Sequence, residues 1–490
     1  MPRVKICAMA FIHIGIVAVA SASVLLFSAT SARADSVILQ NFSGIGQTNA
    51  VPPDMGGAVG GNYVVQVVNG GMKITTTAGA VAQTQISDSQ FWLNAGISAG
   101  TLAGGISDPR IVFDAASQRF FVSEITVEQP ANVGNRVLLA VSNSADPTQG
   151  FSAVSFPGFS TGSAPLADFP TLGVDRNSIY IGTNNFSNNT TFSNVSFFAI
   201  PKSDFVANQS LASMTRFDSL DPNVVGFTLQ GVTSGTVTSK IFAIDNTRFN
   251  FLDITPIIGS GFAGATLGST IFVNGLSDGP VLLQRQPDGS RTLDGQDDRL
   301  GAMVYEAGNY IYAANAIGVG GSHDAVHWMI FNATTNVLVT QGTVSDPNFD
   351  FTYPSIAANA NGDFLLAYNR AGPSSPSGLI SAFGTVCHLN TGTNAVTCEN
   401  PLLLQASTAS YNESHHRWGD YSAAQVDPNN PNNFWAFTQY AADAKNWGTQ
   451  ITEIGAATPE PRSLFLLGGS FAGLMLLRRR NRTQSDKRSL

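Results

Sequence analysis

The sequence predicts an all-β protein whose body is a seven-bladed β-propeller, and three observations carry that prediction. Short runs rich in Val, Ile, Phe, Tyr and Thr recur between clusters of Gly, Asn, Asp, Ser and Pro, with no long amphipathic helix between Asp35 and Ala457. A longer unit returns seven times: an acidic or aromatic-proline turn, a buried strand, a polar turn and an aromatic strand. The composition agrees, at 43% hydrophobic and only 12% charged residues with 48 glycines in 490. That is enough apolar material for a large core, too much for general disorder, and biased toward strands and turns.

The first three copies open at Asp54, Asp108 and Asp168 and lead into Tyr63–Val68, Arg119–Val122 and Ser178–Ile181. A weaker fourth copy opens at Phe227 and leads into Lys240–Ile244. The last three open at Arg299, Phe351 and Asp420 and lead into Tyr310–Ala314, Asp363–Tyr368 and Asn433–Phe437. Repeats of this length with four short strands each suit propeller blades, which bury their faces only by stacking on neighbours around a closed ring. Closure is expected to pair Val37–Leu39 with the last blade near Thr449–Ile454. A chain of β-sandwiches is the alternative reading of the same pattern.

Both ends read as addresses flanking the body. Residues 1–34 have a basic start (Arg3, Lys5), an apolar run from Ile6 to Phe27 and the small-residue site Ala32-Arg33-Ala34. That is a signal peptide cleaved between Ala34 and Asp35, with an uncleaved anchor as the alternative. Residues 35–457 form the propeller domain. In 458–482, Pro459, Glu460 and Pro461 precede an uncharged apolar run from Leu464 to Leu477, followed by Arg478, Arg479, Arg480 and Arg482; 483–490 is a cytoplasmic tail. As a helix the apolar run spans about 21 Å, short of the ~30 Å hydrocarbon core, so it makes a marginal membrane anchor with its arginines inside.

This three-part order resembles the PEP-CTERM sorting signal of Gram-negative bacteria. The resemblance implies a short transmembrane sorting helix and processing by exosortase near the Pro-Glu-Pro, after signal peptidase has acted at the other end. It also implies transient anchoring in the inner membrane, then delivery to the cell surface or extracellular polysaccharide matrix. An ordinary tail anchor is the plainer alternative.

Basic residues concentrate at the ends, leaving 15 basic against 31 acidic side chains between Asp35 and Ala457. Such a body disfavours nucleic acid as a partner, favours solubility and attracts divalent cations. Its two cysteines, Cys387 and Cys398, bracket a strand–turn–strand pattern around Asn390-Thr391-Gly392. Opposed on a hairpin in an exported protein, they are expected to form a disulfide; a metal pair with His388 is the alternative.

The body resembles the sialidase-like seven-bladed propellers of secreted bacterial proteins. Ser107–Asp114 and Trp418–Asp427 with Asn433–Trp435 carry the likeness, and Ser144–Phe151 faintly resembles a sialidase Asp-box, a structural hairpin. An active sialidase needs an arginine cluster, a Tyr–Glu nucleophile pair and an acid. Arginines are few here, and Glu124, Glu306 and Glu413 are scattered without paired spacing, so no catalytic residue is assigned.

The turn entering each innermost strand of a propeller faces one channel mouth. The repeat therefore places Asp54, Asp108, Asp168 and Asp420 around one axis, with Arg110 and Arg417 near. Carboxylates so gathered repel unless neutralised, which makes a Ca²⁺ or ligand site at the mouth one hypothesis; the plainer reading is that these aspartates cap turns. His323 and His327 share one face of a strand and are read as packing residues. Trp418, Tyr421, Trp435 and Trp447 could stack on sugars, although the default for each is core packing. The functional expectation is an exported surface or matrix protein whose propeller binds glycan, polymer or protein; the alternative is a secreted sialidase-like glycoside hydrolase working at the channel mouth.

Overall fold

Each apolar run pairs antiparallel with its neighbour in sequence, and the pairing breaks at regular intervals to give seven separate sheets. The computed structural model describes residues 35–456 apart from 128–133, 160–165, 188–189, 249 and 277–278. Blade 1 is Gly56–Gly60, Tyr63–Val68, Gly71–Thr76 and Val81–Ile86, and blade 2 is Ile106–Asp114, Arg119–Thr126, Arg136–Ser142 and Phe151–Pro157. In blade 3, Leu166–Asp168 and Gly173–Val174 both pair Ser178–Ser187, followed by Thr191–Pro201 and Thr215–Leu220. Blade 4 is Phe227–Gly231, Lys240–Ile244 and Phe251–Ile258, edged by Thr266–Leu267 and Ile271–Asn274. Blade 5 is Tyr305–Ala307, Tyr310–Val319, His323–Asn332 and Leu338–Val344. Blade 6 is Asp350–Ala358, Asp363–Ala371 and Ser381–Asn390, edged by Ala395–Cys398 and Leu402–Gln405.

Blade 7 closes the ring. Ala423–Val426, Asn433–Ala441 and Trp447–Gly455 supply three strands, and the first strand of the chain, Val37–Gly46, supplies the outer fourth. Val37 faces Gly455, Ile38 faces Ile454 and Phe42 faces Ile451, so the expected closure forms where the sequence placed it. The seam extends to blade 6: the Ser36 amide and hydroxyl donate to Glu399, which also receives His388 at 2.7 Å.

The core lies between blades. Trp435 and Phe437 of blade 7 pack with Val59 and Val64 of blade 1; Phe113 and Phe120 of blade 2 pack with Val65 and Val67 of blade 1. Innermost strands come close enough to require glycine. A Cβ on Gly173 would sit 2.0 Å from the carbonyl oxygen of Gly231 in the next blade. Cys387 and Cys398 are directly opposed on their hairpin and form the expected disulfide. Ser144–Phe151 links the third and fourth strands of blade 2, where Asp146 caps a short 3₁₀ turn, so it is a structural hairpin. The signal-peptide, Pro-Glu-Pro and arginine-cluster readings, including Ala34 and Pro459, lie outside the described residues. Among the described residues, no helix is long and apolar enough to cross a membrane.

Candidate functional site

Innermost strands carry a recurrent kink at their entry ends. Register slips between Ser107 and Arg110, Phe227 and Gln230, and Thr352 and Ser355. Inside those slips Asp108, Thr228 and Tyr353 have φ of 64°, 54° and 51°. Asp54 (41°) and Phe169 (52°) take the same left-handed turn entering blades 1 and 3. A bulge of this kind bends a strand and re-aims its side chain, here at the channel mouth.

The structure brings together three of the four expected aspartates. Asp54, Asp108 and Asp420 each offer one carboxylate oxygen, and these oxygens lie within 4.8 Å of one another. Asp168 stands one residue before the turn residue Phe169 and outside this group, although it still feels Asp108 and Asp420. Asn69 organises the centre: its amide donates to Asp54 Oδ2 at 2.7 Å, and its Oδ1 accepts from the Asp108 amide at 2.9 Å. Asp108 also accepts from the Ser107 hydroxyl at 2.7 Å and the Phe169 amide at 3.1 Å, so part of the capping alternative is real. Asp54 Oδ1 is buried and accepts no hydrogen bond.

The electrostatics follow from burial. Burial first, then Asp420 and Asp108, hold Asp54 well above the usual carboxylate range. Burial and Asp420 raise Asp108 as well. Asp168 is pushed up to about 7, by burial and then by Asp108 and Asp420, with Arg299 acting against them. Burial works to lower Arg417, but Asp420 and Asp54 help to outweigh it and the guanidinium is held more firmly charged.

Arg110 closes the channel beneath these acids. Its guanidinium lies 3.2 Å from the Tyr421 ring centre and 4.9 Å from that of Phe169. It donates to Pro170 O at 3.0 Å and, across the axis, to Gly301 O at 2.7 Å. Two loops close the mouth from outside, the 279–304 connection and the 406–422 connection. They interlock through Gln286 and Tyr411, which exchange hydrogen bonds of 2.9 and 2.6 Å, and through the Asp294 amide on His416 O. Arg417 joins them to the acids, 3.5 Å from Asp294 and 2.5 Å from Asp420. Among the described residues, cavities of about 20 and 10 Å³ lie there, each room for about one water.

The expected start of blade 5 at Arg299 belongs to the first of these loops. Blade 5's innermost strand is only Tyr305–Ala307. Arg299 instead pairs with Asp297 at 2.6 Å and stacks 4.5 Å over Phe169. Nothing in the sequence signals this lid beyond the long gap before the fifth unit.

The four aromatics pack in the core, which is the default reading, and the sugar-stacking possibility is corrected. Trp418, Tyr421, Trp435 and Trp447 are all at most 2% exposed. Each polar tip is spent inside, on Asn369 Oδ1, Pro109 O, Asp427 Oδ2 and Ala50 O respectively. No sugar can stack on rings already packed between blades. His323 and His327 are buried and bonded to serine, asparagine and glutamine, as packing residues should be.

The opposite mouth is open. The exit ends of the innermost strands in blades 2 to 7 line a funnel of about 290 Å³. Its wall is mostly small and apolar, including Val112, Val174, Ala358 and Val426, with Ala115 and Pro428 toward the rim. Its acids are engaged internally: Asp114 with Lys202 at 2.8 Å, Glu306 with Thr236 and Thr238, and Asp427 with the Trp435 indole. Sequence reasoning missed this funnel, because small residues after a strand look like ordinary turns.

No family model matches the chain, and no curated protein matches it. Among solved structures it is similar to the WD40 domain of SCAP from fission yeast, at 10% identity over 81% of this chain and 83% of that one, TM-score 0.35. It is also similar to an α-L-arabinofuranosidase from Podospora anserina in complex with cellotriose, at 10% identity over 72% and 92%, TM-score 0.32. An α-L-arabinofuranosidase from Lactobacillus brevis is similar at 8% identity over 74% and 91%, TM-score 0.31. The seven-bladed ring rests on the strand pairing above, not on these likenesses.

Proposed function

We propose that the chain is an exported propeller that binds an extracellular glycan, polymer or protein and does not cleave it. The observation that carries this reading is the sealing of the entry mouth. Glycoside hydrolysis needs a carboxyl pair flanking an exposed bond, with room for the sugar ring and usually a water. Asp54 and Asp108 are at most 5% exposed beneath Arg417 and the interlocked loops. Among the described residues, one cavity near this mouth is walled by Met55 and Arg110 and another by Asp420 and Arg299, and each holds about one water. The exit funnel, at about 290 Å³, approaches the lower end of ordinary ligand pockets and is the better seat for a ligand. Its internally satisfied acids favour an uncharged group there.

Export belongs to the same proposal: signal peptidase acting before Asp35, exosortase acting near Pro459-Glu460-Pro461, and a surface or matrix destination. The test is a glycan array and an extracellular-polysaccharide pull-down with the full chain, run beside a panel of fluorogenic glycosides. Binding that is lost in Ala115→Trp, with no turnover of any glycoside, is the expected result. Turnover that disappears in Asp108→Ala would reverse the conclusion.

A further inference from the structure

We propose that Asp54, Asp108 and Asp420 form a buried site for a divalent cation of the calcium class, one that staples blades 7, 1 and 2 across the seam of the ring. Two independent observations meet here. The first is spacing: the three carboxylate oxygens lie within 4.8 Å of one another. Calcium–oxygen bonds of 2.3–2.6 Å place ligands on opposite sides of the ion up to about 4.6–5.2 Å apart, so the trio falls within one coordination sphere. The second is an orphan: Asp54 is 2% exposed, and its Oδ1 has no hydrogen-bond donor. A buried carboxylate oxygen left without a donor is costly, and a cation supplies the missing partner.

The donor set selects the ion. Three carboxylates, with no cysteine or histidine among them, suit a hard oxygen-seeking cation better than zinc or copper. Arg417 already pairs with Asp420 and Arg110 lies below, so the acids carry only a modest excess of negative charge. That suits a site needing millimolar rather than nanomolar calcium, as in extracellular modules. Asp54 and Asp108 enter blades 1 and 2, and Asp420 precedes blade 7, the blade completed by the chain's first strand. The ion therefore ties three consecutive blades where the ring is joined rather than continuous.

The test uses the full chain dialysed against EGTA, then titrated with Ca²⁺ and separately with Mg²⁺, read by calorimetric heat and melting temperature. Calcium at ~10 mM, above the millimolar affinity expected of the site, should raise the melting temperature by about 1–3 °C with a one-site isotherm. Asp54→Asn should abolish that response while melting in EGTA no lower than the parent, since it removes a repulsion. Absence of heat and of any shift in the parent overturns the proposal, as does an equal calcium response in Asp54→Asn. An equal response to Mg²⁺ overturns the calcium assignment. Should Asp54→Asn not fold, the parent titration decides alone. Because the readout is binding and melting, this test is independent of whether the exit funnel takes a ligand.

Discussion

Replacing Arg110 with methionine tests the channel plug. Arg110 is 6% exposed in the parent, and its guanidinium donates to two carbonyls at 3.0 and 2.7 Å and lies 3.2 Å from the Tyr421 ring centre. A hydrogen bond from a charged donor contributes about 1.5–3 kcal/mol, and a desolvated cation–π contact about 2 kcal/mol. Burying the charge costs several kcal/mol in the opposite direction, partly offset in the parent by Asp108, Asp54 and Asp420. Methionine keeps much of the volume, deserts both carbonyls and leaves the acids with one cation fewer. Removal of one partner from a buried charged set typically costs about 3–5 kcal/mol, and Arg110→Met should fall there. The assay is urea unfolding followed by tryptophan fluorescence and far-ultraviolet dichroism. Arg110→Lys, which keeps the charge but loses the planar fork, should lie between parent and Arg110→Met. A loss below about 1 kcal/mol in Arg110→Met, the size of an ordinary surface change, would refute the plug as a structural element.

Three further outcomes follow from particular contacts. Gly173→Ala sets a Cβ 2.0 Å from a backbone oxygen of the next blade and should cost about 1–3 kcal/mol or more, whereas Gly235→Ala, with open space around it, should be near neutral in the same urea assay. Cys387→Ser with Cys398→Ser opens a loop with a sequence separation of 11 and should lower stability by about 2–3 kcal/mol, an effect that reducing agent should reproduce in the parent. Stability should also fall as pH rises from about 4 toward 8. Burial and then Asp245 push Asp253 up to about 8, and burial foremost pushes Asp324 up to about 7. A carboxyl raised in the fold contributes stability that is fully present below its unfolded value near ~4 and lost as pH climbs through its folded value. Asp253→Asn should therefore flatten the upper part of that decline; parallel urea-midpoint profiles for variant and parent would contradict it.

The ring was legible because a propeller writes itself into sequence seven times. Each blade must present a buried strand and an aromatic strand to its neighbours, so Arg119–Val122 and Asn433–Phe437 look alike though they lie far apart in the chain. The closing strand was legible for the same reason, since Val37–Leu39 has strand character and no neighbour of its own before blade 1. What periodicity does not record is which loops fold over a mouth. The 279–304 connection is held by individual bonds, such as Thr352 on Gly295 O and Gln230 on Leu300 O, and these have no repeat to betray them. Exposure fails likewise: Trp418 near a mouth and Trp435 in a strand look equally available in sequence, yet both are sealed by the neighbouring blade or lid.

The acids show the boundary most sharply. Asp54 and Asp108 were found because an aspartate entering an innermost strand repeats; Asp168 was placed one residue out of step because Phe169, not an acid, takes the left-handed turn in blade 3. That misalignment is informative. The same turn is made by Phe169, Thr228 and Tyr353 in other blades, although left-handed backbone ordinarily favours Asp and Asn over β-branched or aromatic residues. The turn therefore does not require a carboxylate. Nor does Asp420, which joins the trio without adopting that backbone. Turn capping accounts for the Ser107 and Phe169 contacts of Asp108, but not for three acids converging from blades 7, 1 and 2 with one oxygen left unserved. Arg417 and Arg110 offset part of the charge these acids bring together, and the proposed cation answers the remainder and the unserved oxygen of Asp54.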